Sequence, residues 1–316
     1  MKGTVYKSTG SWYSVKSEAG IFYPCRIKGK FRMQEIKSTN PVAVGDHVAF
    51  ETEVHDQEEV GLITEIFDRQ NYIIRKSVKL SKQTHIIAAN IDQLFLLVTL
   101  KNPKTYTVFI DRILATAEAY SIPAILLFNK IDECTKKELS ELKALAEVYT
   151  AIKYKCLLIS AITGEGVDEV KKLMEGKTSM FAGNSGVGKT TLINRIAPKL
   201  DLRTMETSEM HMQGQHTTTF AEMYDLDFDA QIIDTPGIRG FGIVDMDADE
   251  IGDYFPEIFA LKGECKFNNC LHLEEPKCAI KAGLEEGKIA SSRYHSYVQM
   301  VTGEDDTYRM DIFDEG

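Results

Sequence analysis

The hydrophobic positions of this chain change period twice. Over residues 1–70 they alternate in short runs, at 5–15, 21–27 and 48–54, punctuated by Gly10-Ser11, Lys28-Gly29-Lys30 and Val44-Gly45-Asp46. Alternation puts every second side chain on one face, so these runs predict strands joined by turns. Several short strands at this spacing predict a small all-β barrel, with the OB-fold as the natural candidate. Residues 71–89 are more polar, with Arg75, Lys76, Lys79 and Lys82 spread through them, and read as a linker. From residue 90 the runs are those of an α/β domain. Segments 92–99 and 123–129 are apolar enough for buried parallel strands, and Ile110, Ile113, Leu114 and Ala117 between them recur at helical spacing. Segment 135–149 repeats the helical pattern with Leu139, Leu142, Leu145 and Ala146. Further strands fall at 155–160, 178–183, 220–226 and 230–234, with a helix carrying Val167, Val170 and Leu173. This predicts a doubly wound domain over 90–250. Residues 251–316 read as a mainly α domain with no run able to build a large core, so they need a staple.

Composition narrows the class. A chain of 316 residues has room for two or three domains, and 43% hydrophobic with 27% charged residues is a globular balance. The longest apolar runs, 94–100 and 123–128, are too short to span a bilayer. With no signal-like N-terminus, the expectation is a cytoplasmic monomer without a membrane partner. A net charge of −10 argues against indiscriminate nucleic-acid binding. Locally, however, Arg26, Lys28, Lys30, Arg32 and Lys37 face only Glu35. Beside them Tyr13, Phe22, Tyr23 and Phe31 could stack bases, although a single aromatic is more often core. The acidic tail from Glu304 reads as a solvated end.

The candidate chemistry begins at Gly183-Asn184-Ser185-Gly186-Val187-Gly188-Lys189-Thr190, between a short strand and a helix. In that context the glycines let backbone amides curl around a phosphate, Lys189 neutralises it, and the Thr190 hydroxyl, followed by Thr191, ligates Mg2+. Asp234-Thr235-Pro236-Gly237 closes another strand, where Asp234 would reach Mg2+ and the Gly237 amide the terminal phosphate. Asn129-Lys130-Ile131-Asp132 ends a third. Its Asp132 carboxylate can accept from both N1–H and the exocyclic amine of guanine, a pair that adenine lacks. Ser160-Ala161 ends the next strand and fits the loop behind the base. The predicted ligands are therefore GTP and GDP. The guanine tetrapeptide lies upstream of the phosphate loop, the reverse of the ordinary order, so the sequence predicts a circularly permuted GTPase domain.

Between the phosphate loop and Asp234 lies Gly214-Gln215-His216-Thr217-Thr218-Thr219. A hydroxyl here, with Thr218 preferred over its neighbours, would complete the Mg2+ shell. Ile238 follows Gly237, where many GTPases carry the glutamine that orients water. His216 is then the nearest candidate for that task, unless a partner supplies it, which can be worth about 10³–10⁵ in rate. Of six cysteines, Cys25, Cys134 and Cys156 are isolated and read as packing residues. Cys265, Cys270, His272 and Cys278 instead match a closed Cys3His site for one structural Zn2+.

The motif order, with Arg69-Gln70-Asn71-Tyr72-Ile73-Ile74-Arg75, Gly-Gln-His-Thr-Thr-Thr at 214–219 and Asp-Thr-Pro-Gly-Ile-Arg-Gly-Phe-Gly at 234–242, resembles the bacterial RsgA family of small-ribosomal-subunit biogenesis GTPases. The resemblance covers nearly the whole chain. It implies an OB-fold on ribosomal RNA, a permuted GTPase stimulated by the small subunit and released on hydrolysis, and a C-terminal zinc domain that touches RNA. Gln215 departs from the arginine common in that family. The competing readings are an RNA-binding scaffold that merely holds nucleotide, and an ATP-dependent kinase, which Asp132 opposes. Gly237 lies only 28 residues before Cys265 (265 − 237), so the permutation is expected to couple nucleotide state to the placement of the zinc domain.

Overall fold

The first seventy residues close on themselves. The computed structural model describes residues 1–28, 41–55, 58–76, 84–200, 221–234 and 246–303. Strands β1 (Lys2–Ser8), β2 (Tyr13–Ser17), β3 (Phe22–Ile27), β4 (His47–His55) and β5 (Glu58–Ile66) pair in the order β1-β2-β3-β5-β4. The ring closes because β4 also pairs with β1. Val5, Val15, Cys25, Val48, Phe50 and Ile63 fill the barrel and are fully buried. The alternating run 5–15 turns back on itself at Gly10-Ser11, where the Thr9 N–H donates to Trp12 O at 3.0 Å, giving β1 and β2. Strand β5 had no clear signal in the sequence, because its first two residues are glutamates.

Residues 71–89 form more than a linker. Strands β6 (Tyr72–Lys76) and β7 (Thr84–Ala89) make an antiparallel hairpin. Ile73, Ala88 and Ala89 are fully buried, and the Ala89 N–H donates to Val44 O at 2.8 Å. The lysines that made this stretch look like a connector concealed its few inward apolar positions.

The central domain runs β8 (Gln93–Val98), α1 (Thr107–Ala119), β9 (Ala124–Phe128), α2 (Lys136–Ala151), β10 (Lys155–Leu158), α3 (Val167–Met174), β11 (Thr178–Ala182), α4 (Lys189–Ile196), β12 (Glu222–Leu226) and β13 (Ala230–Asp234). Its strand order is β10-β9-β8-β11-β13-β12, all parallel except β12. Both faces are covered. Leu94, Leu96 and Val98 of β8 join Ile110, Leu114 and Leu142 on one side; Phe95 and Leu97 join Val170, Leu192 and Ile193 on the other. That is why β8 reads as an unbroken apolar run.

Two joints tie the flanking modules to this sheet. Strand β12 pairs with β1 in register Lys7↔Glu222, making the barrel and the central sheet one eleven-stranded sheet. Across it Lys7 bonds Glu222 at 3.0 Å, while Tyr6 Oη and Lys16 Nζ both reach Asp225 at 2.6 Å. On the opposite flank, α5 (Pro256–Lys262), α6 (Ala279–Glu285) and α7 (Ser291–Thr302) enclose Phe255, Ile258, Ile280, Ile289 and Tyr297, with Ala115 of α1 in the same core. Among the described residues no helix is long and apolar enough to cross a membrane.

Candidate nucleotide site and metal centre

Parallel strands aim their carboxyl ends at one edge, where β13 ends and the loops leaving β8, β9, β10 and β11 collect. Asn129 follows β9, Ser160 lies just past β10, the phosphate loop follows β11 and Asp234 ends β13. The inverted order therefore does not separate the motifs in space. Asn129, almost fully buried, donates from Nδ2 to Val187 O of the phosphate loop at 2.8 Å and accepts on Oδ1 from the Ala161 N–H at 3.0 Å. One side chain thus ties the Asn129–Asp132 tetrapeptide to both the phosphate loop and the Ser160-Ala161 loop. Gly188 makes room for it: a Cβ there would lie 2.5 Å from Asn129 Nδ2, and its φ of +96° suits glycine.

Lys189 opens α4 and folds its ammonium onto the loop, donating to Gly183 O at 2.5 Å and Asn184 O at 2.9 Å. Ser185 and Gly186 are exposed at the loop tip, and Thr190 and Thr191 are half-buried behind it. Lys130 Nζ donates to Asn102 O at 2.5 Å, and Pro103 packs against Gly186. The turn after β8 is therefore a further wall of this edge, which no sequence motif announced. Asp132 is exposed at the same edge. The sequence-predicted His216, Thr218 and Gly237, with Gln215, Thr217 and Thr219, lie outside the described residues.

The second constellation is compact. The ligand atoms of Cys265, Cys270, His272 and Cys278 all lie within 4.8 Å of one another. His272 Nδ1 is 3.5 Å from both Cys265 Sγ and Cys278 Sγ, and those two sulfurs are 4.0 Å apart. A tetrahedron with metal–sulfur bonds of about 2.3 Å and a metal–nitrogen bond of about 2.0 Å has edges near 3.5–3.8 Å, so the four donors are placed to close on such an ion. Burial pushes His272 down, favouring the neutral imidazole that can ligate, and pushes the Cys270 thiol up to about 12 in the absence of a cation. Glu275 orders the turn by accepting from the Leu271 and Leu273 N–H groups at 2.7 and 2.8 Å, while Tyr294 and Tyr297 of α7 donate to His272 O and Leu271 O. Glu275 was missed because a carboxylate between ligands has no motif of its own.

The remaining expectations divide. Cys25 is fully buried and its thiol is pushed up to about 12 by burial, and burial raises Cys156 and Cys134 too, which fits packing rather than reactivity. On the barrel, Tyr13 is core and Tyr23 packs against Phe50, whereas Phe22 is exposed and Trp12 stacks with Arg26 at 3.9 Å. Phe31, Lys30, Arg32 and Lys37 lie outside the described residues.

Comparison with known proteins agrees with this arrangement. A family model described as RsgA GTPase matches residues 66–244, and one described as RsgA N-terminal domain matches residues 2–63. The chain is 66% identical over 313 residues to a small ribosomal subunit biogenesis GTPase RsgA from Christiangramia forsetii, covering 99% of each chain. It is 62% identical over 315 residues to the protein of that name from Flavobacterium johnsoniae, covering 100% of this chain and 97% of the relative. The crystal structure of YjeQ from Thermotoga maritima superposes with a TM-score of 0.79 at 34% identity, covering 96% of this chain and 97% of that one. That of YloQ, described as a circularly permuted GTPase, gives 0.74 at 29% identity, covering 97% and 95%. A guanine tetrapeptide and a phosphate loop joined through Asn129, on a sheet shared with these structures, make the chain a P-loop GTP hydrolase, and it belongs to the RsgA GTPase family.

Proposed function

We propose that this chain binds the small ribosomal subunit during its maturation, hydrolyses GTP when docked there, and leaves as GDP is formed. The observation that carries the nucleotide half is the Asn129 bridge, which joins base and phosphate elements 58 residues apart in the chain. The ribosomal half rests on what the relatives are named. In this reading Asn129, Lys130 and Asp132 select guanine with Ser160 and Ala161 behind the base. Residues 183–191 hold the phosphates, with Lys189 as the charge and Thr190, Thr218 and Asp234 as oxygen donors suited to Mg2+. Gly237 contacts the terminal phosphate, and His216 orients the attacking water. The metal held by Cys265, Cys270, His272 and Cys278 is Zn2+, since three thiolates and one imidazole suit that ion. The protein works as a cytoplasmic monomer, with an RNA-binding barrel at 1–70, a connecting segment at 71–89, the GTPase at 90–250 and the zinc domain at 251–316.

The test is turnover of GTP and ATP by the full chain, with and without purified small subunits. The expected result is GTP-only hydrolysis, raised by the subunit by about 10³–10⁵-fold, the range that partner-supplied groups reach in GTPases. Unchanged turnover on adding subunits would overturn the ribosomal half; equal ATP turnover would overturn the guanine site.

A further inference from the structure

Arg195 lies in the last turn of the helix whose first residue is Lys189, and none of the nucleotide motifs includes it. Its guanidinium donates from Nη1 to Ile162 O at 2.6 Å and to Ala161 O at 3.4 Å, and from Nη2 to Thr163 O at 2.8 Å. Three consecutive carbonyls of the loop behind the base therefore converge on one planar fork, a geometry that an ammonium cannot copy. The loop is shaped to receive it. Thr163 N–H donates to Ser160 Oγ at 3.0 Å and Gly164 N–H to Ser160 O at 2.9 Å, which turns the three carbonyls outward to one side. Gly164 has φ +93°, and a Cβ there would meet the Arg195 guanidinium at 2.5 Å. The glycine thus serves both the turn and the close approach of the arginine.

We propose that Arg195 is a positioning residue for guanine recognition: it fixes the 160–164 loop to the phosphate-binding helix, so that base and phosphate sites are held at a set separation. The chain of contacts is continuous. Lys189 binds the phosphate loop, α4 carries Arg195, Arg195 holds Ala161, and the Ala161 N–H holds Asn129, which bonds Val187 of the phosphate loop again. This closed circuit makes the loop behind the base a fixed wall, although no part of it is in a helix or strand. Preorganisation of that wall lowers the ordering that guanine binding has to supply. The inference rests on the nucleotide-site assignment above.

Arg195→Ala and Arg195→Lys test it by equilibrium binding of GDP, ADP and pyrophosphate and by steady-state GTP hydrolysis. Loss of charge-assisted bonds to a solvent-facing loop is expected to weaken GDP binding about tenfold. Pyrophosphate affinity should stay within about twofold, and the loss should appear in KM more than in kcat. Arg195→Lys, which keeps a cation but loses the fork, should fall between wild type and alanine, and it reads the same quantity if the alanine variant does not fold. GDP affinity unchanged in both variants would overturn the proposal, as would equal losses for GDP and pyrophosphate, which indicate damage to the phosphate loop or the fold. A wild-type chain that holds ADP as tightly as GDP would instead overturn the site assignment, and this inference with it.

Discussion

At the scale of single residues, the guanine edge is stiffened by contacts outside the motifs. Glu138 accepts from the Thr135 N–H at 2.7 Å, completing a capping box on α2, and from Lys101 Nζ at 3.0 Å. The Thr135 N–H first, and then Lys101, hold its carboxyl at about 2, below the ordinary 4.5. A carboxylate depressed on folding contributes stability above its unfolded pKa and loses it as pH falls through the folded value. Glu138→Gln should therefore lower the melting temperature at pH 7 by roughly a degree, as an exposed ion pair is worth little. That difference should shrink as pH falls from 4.5 toward 2; thermal melts of both proteins check it. The motif residues were legible because phosphate and guanine chemistry permit few residue types. Lys101, Asn102 and Glu275 were not, since each acts through a backbone group or an ordinary ion pair that many sequences could supply.

At the scale of elements, the joint between α1, α5 and α7 decides how the module with the Cys3His cluster sits. Arg293 of α7, almost fully buried, bonds Asp111 of α1 at 2.8 Å and Glu257 of α5 at 2.6 and 3.1 Å, and its guanidinium lies 4.4 Å from the Phe255 ring. Tyr149 of α2 donates to the same Asp111 oxygen, while Asp111 Oδ2 accepts no hydrogen bond among the described residues. Removing one member of such a cluster leaves buried charge uncompensated, so Arg293→Met should cost about 3–5 kcal/mol in urea unfolding. Burial already pushes Asp111 upward against the pull of Arg293. A carboxyl raised on folding contributes fully below its unfolded pKa and loses that contribution as pH rises through the folded value; without Arg293 the folded value of Asp111 rises further, so the cost should be larger at pH 8 than at pH 5. The cluster also bears on the short path from Gly237 to Cys265. Any nucleotide-driven shift of the C-terminal helices has to carry α1 with them or break this joint. The helix periods at 110–117 predicted α1 but could not reveal Asp111 as a buried ion-pair partner, since a lone Asp on a helix is usually solvated.

At the scale of the whole molecule, three modules are fastened together: the barrel edge to edge through β1 and β12, the C-terminal helices through α1. The C-terminal core is small and its loops are held by the Cys3His cluster, so metal should contribute most of its stability. Chelation with a strong Zn2+ chelator is expected to release about one metal ion per chain and open residues 256–303 to protease while the central sheet stays folded. Proteolysis followed by mass measurement reads this, and a C-terminal segment still protected after the metal is lost would count against the closed-site reading. On the other flank, β12 lies between the barrel and β13, which ends at Asp234. The barrel is thus bonded to a strand of the nucleotide sheet itself, through Tyr6, Lys7 and Lys16.

The sequence by itself determined the three modules, the guanine and phosphate motifs, their inverted order and the Cys3His cluster. Each of these is set by local chemistry: a period, a turn glycine, or donor types at fixed spacing. Tertiary structure alone decided that the inverted motifs meet at one edge through Asn129, that residues 72–76 pair with 84–89, and that the barrel extends the GTPase sheet. It alone placed Arg195 on the carbonyls of residues 161–163 and Arg293 between three helices. These are contacts between residues far apart in the chain, where the partner's identity, rather than the residue's own neighbourhood, fixes the role.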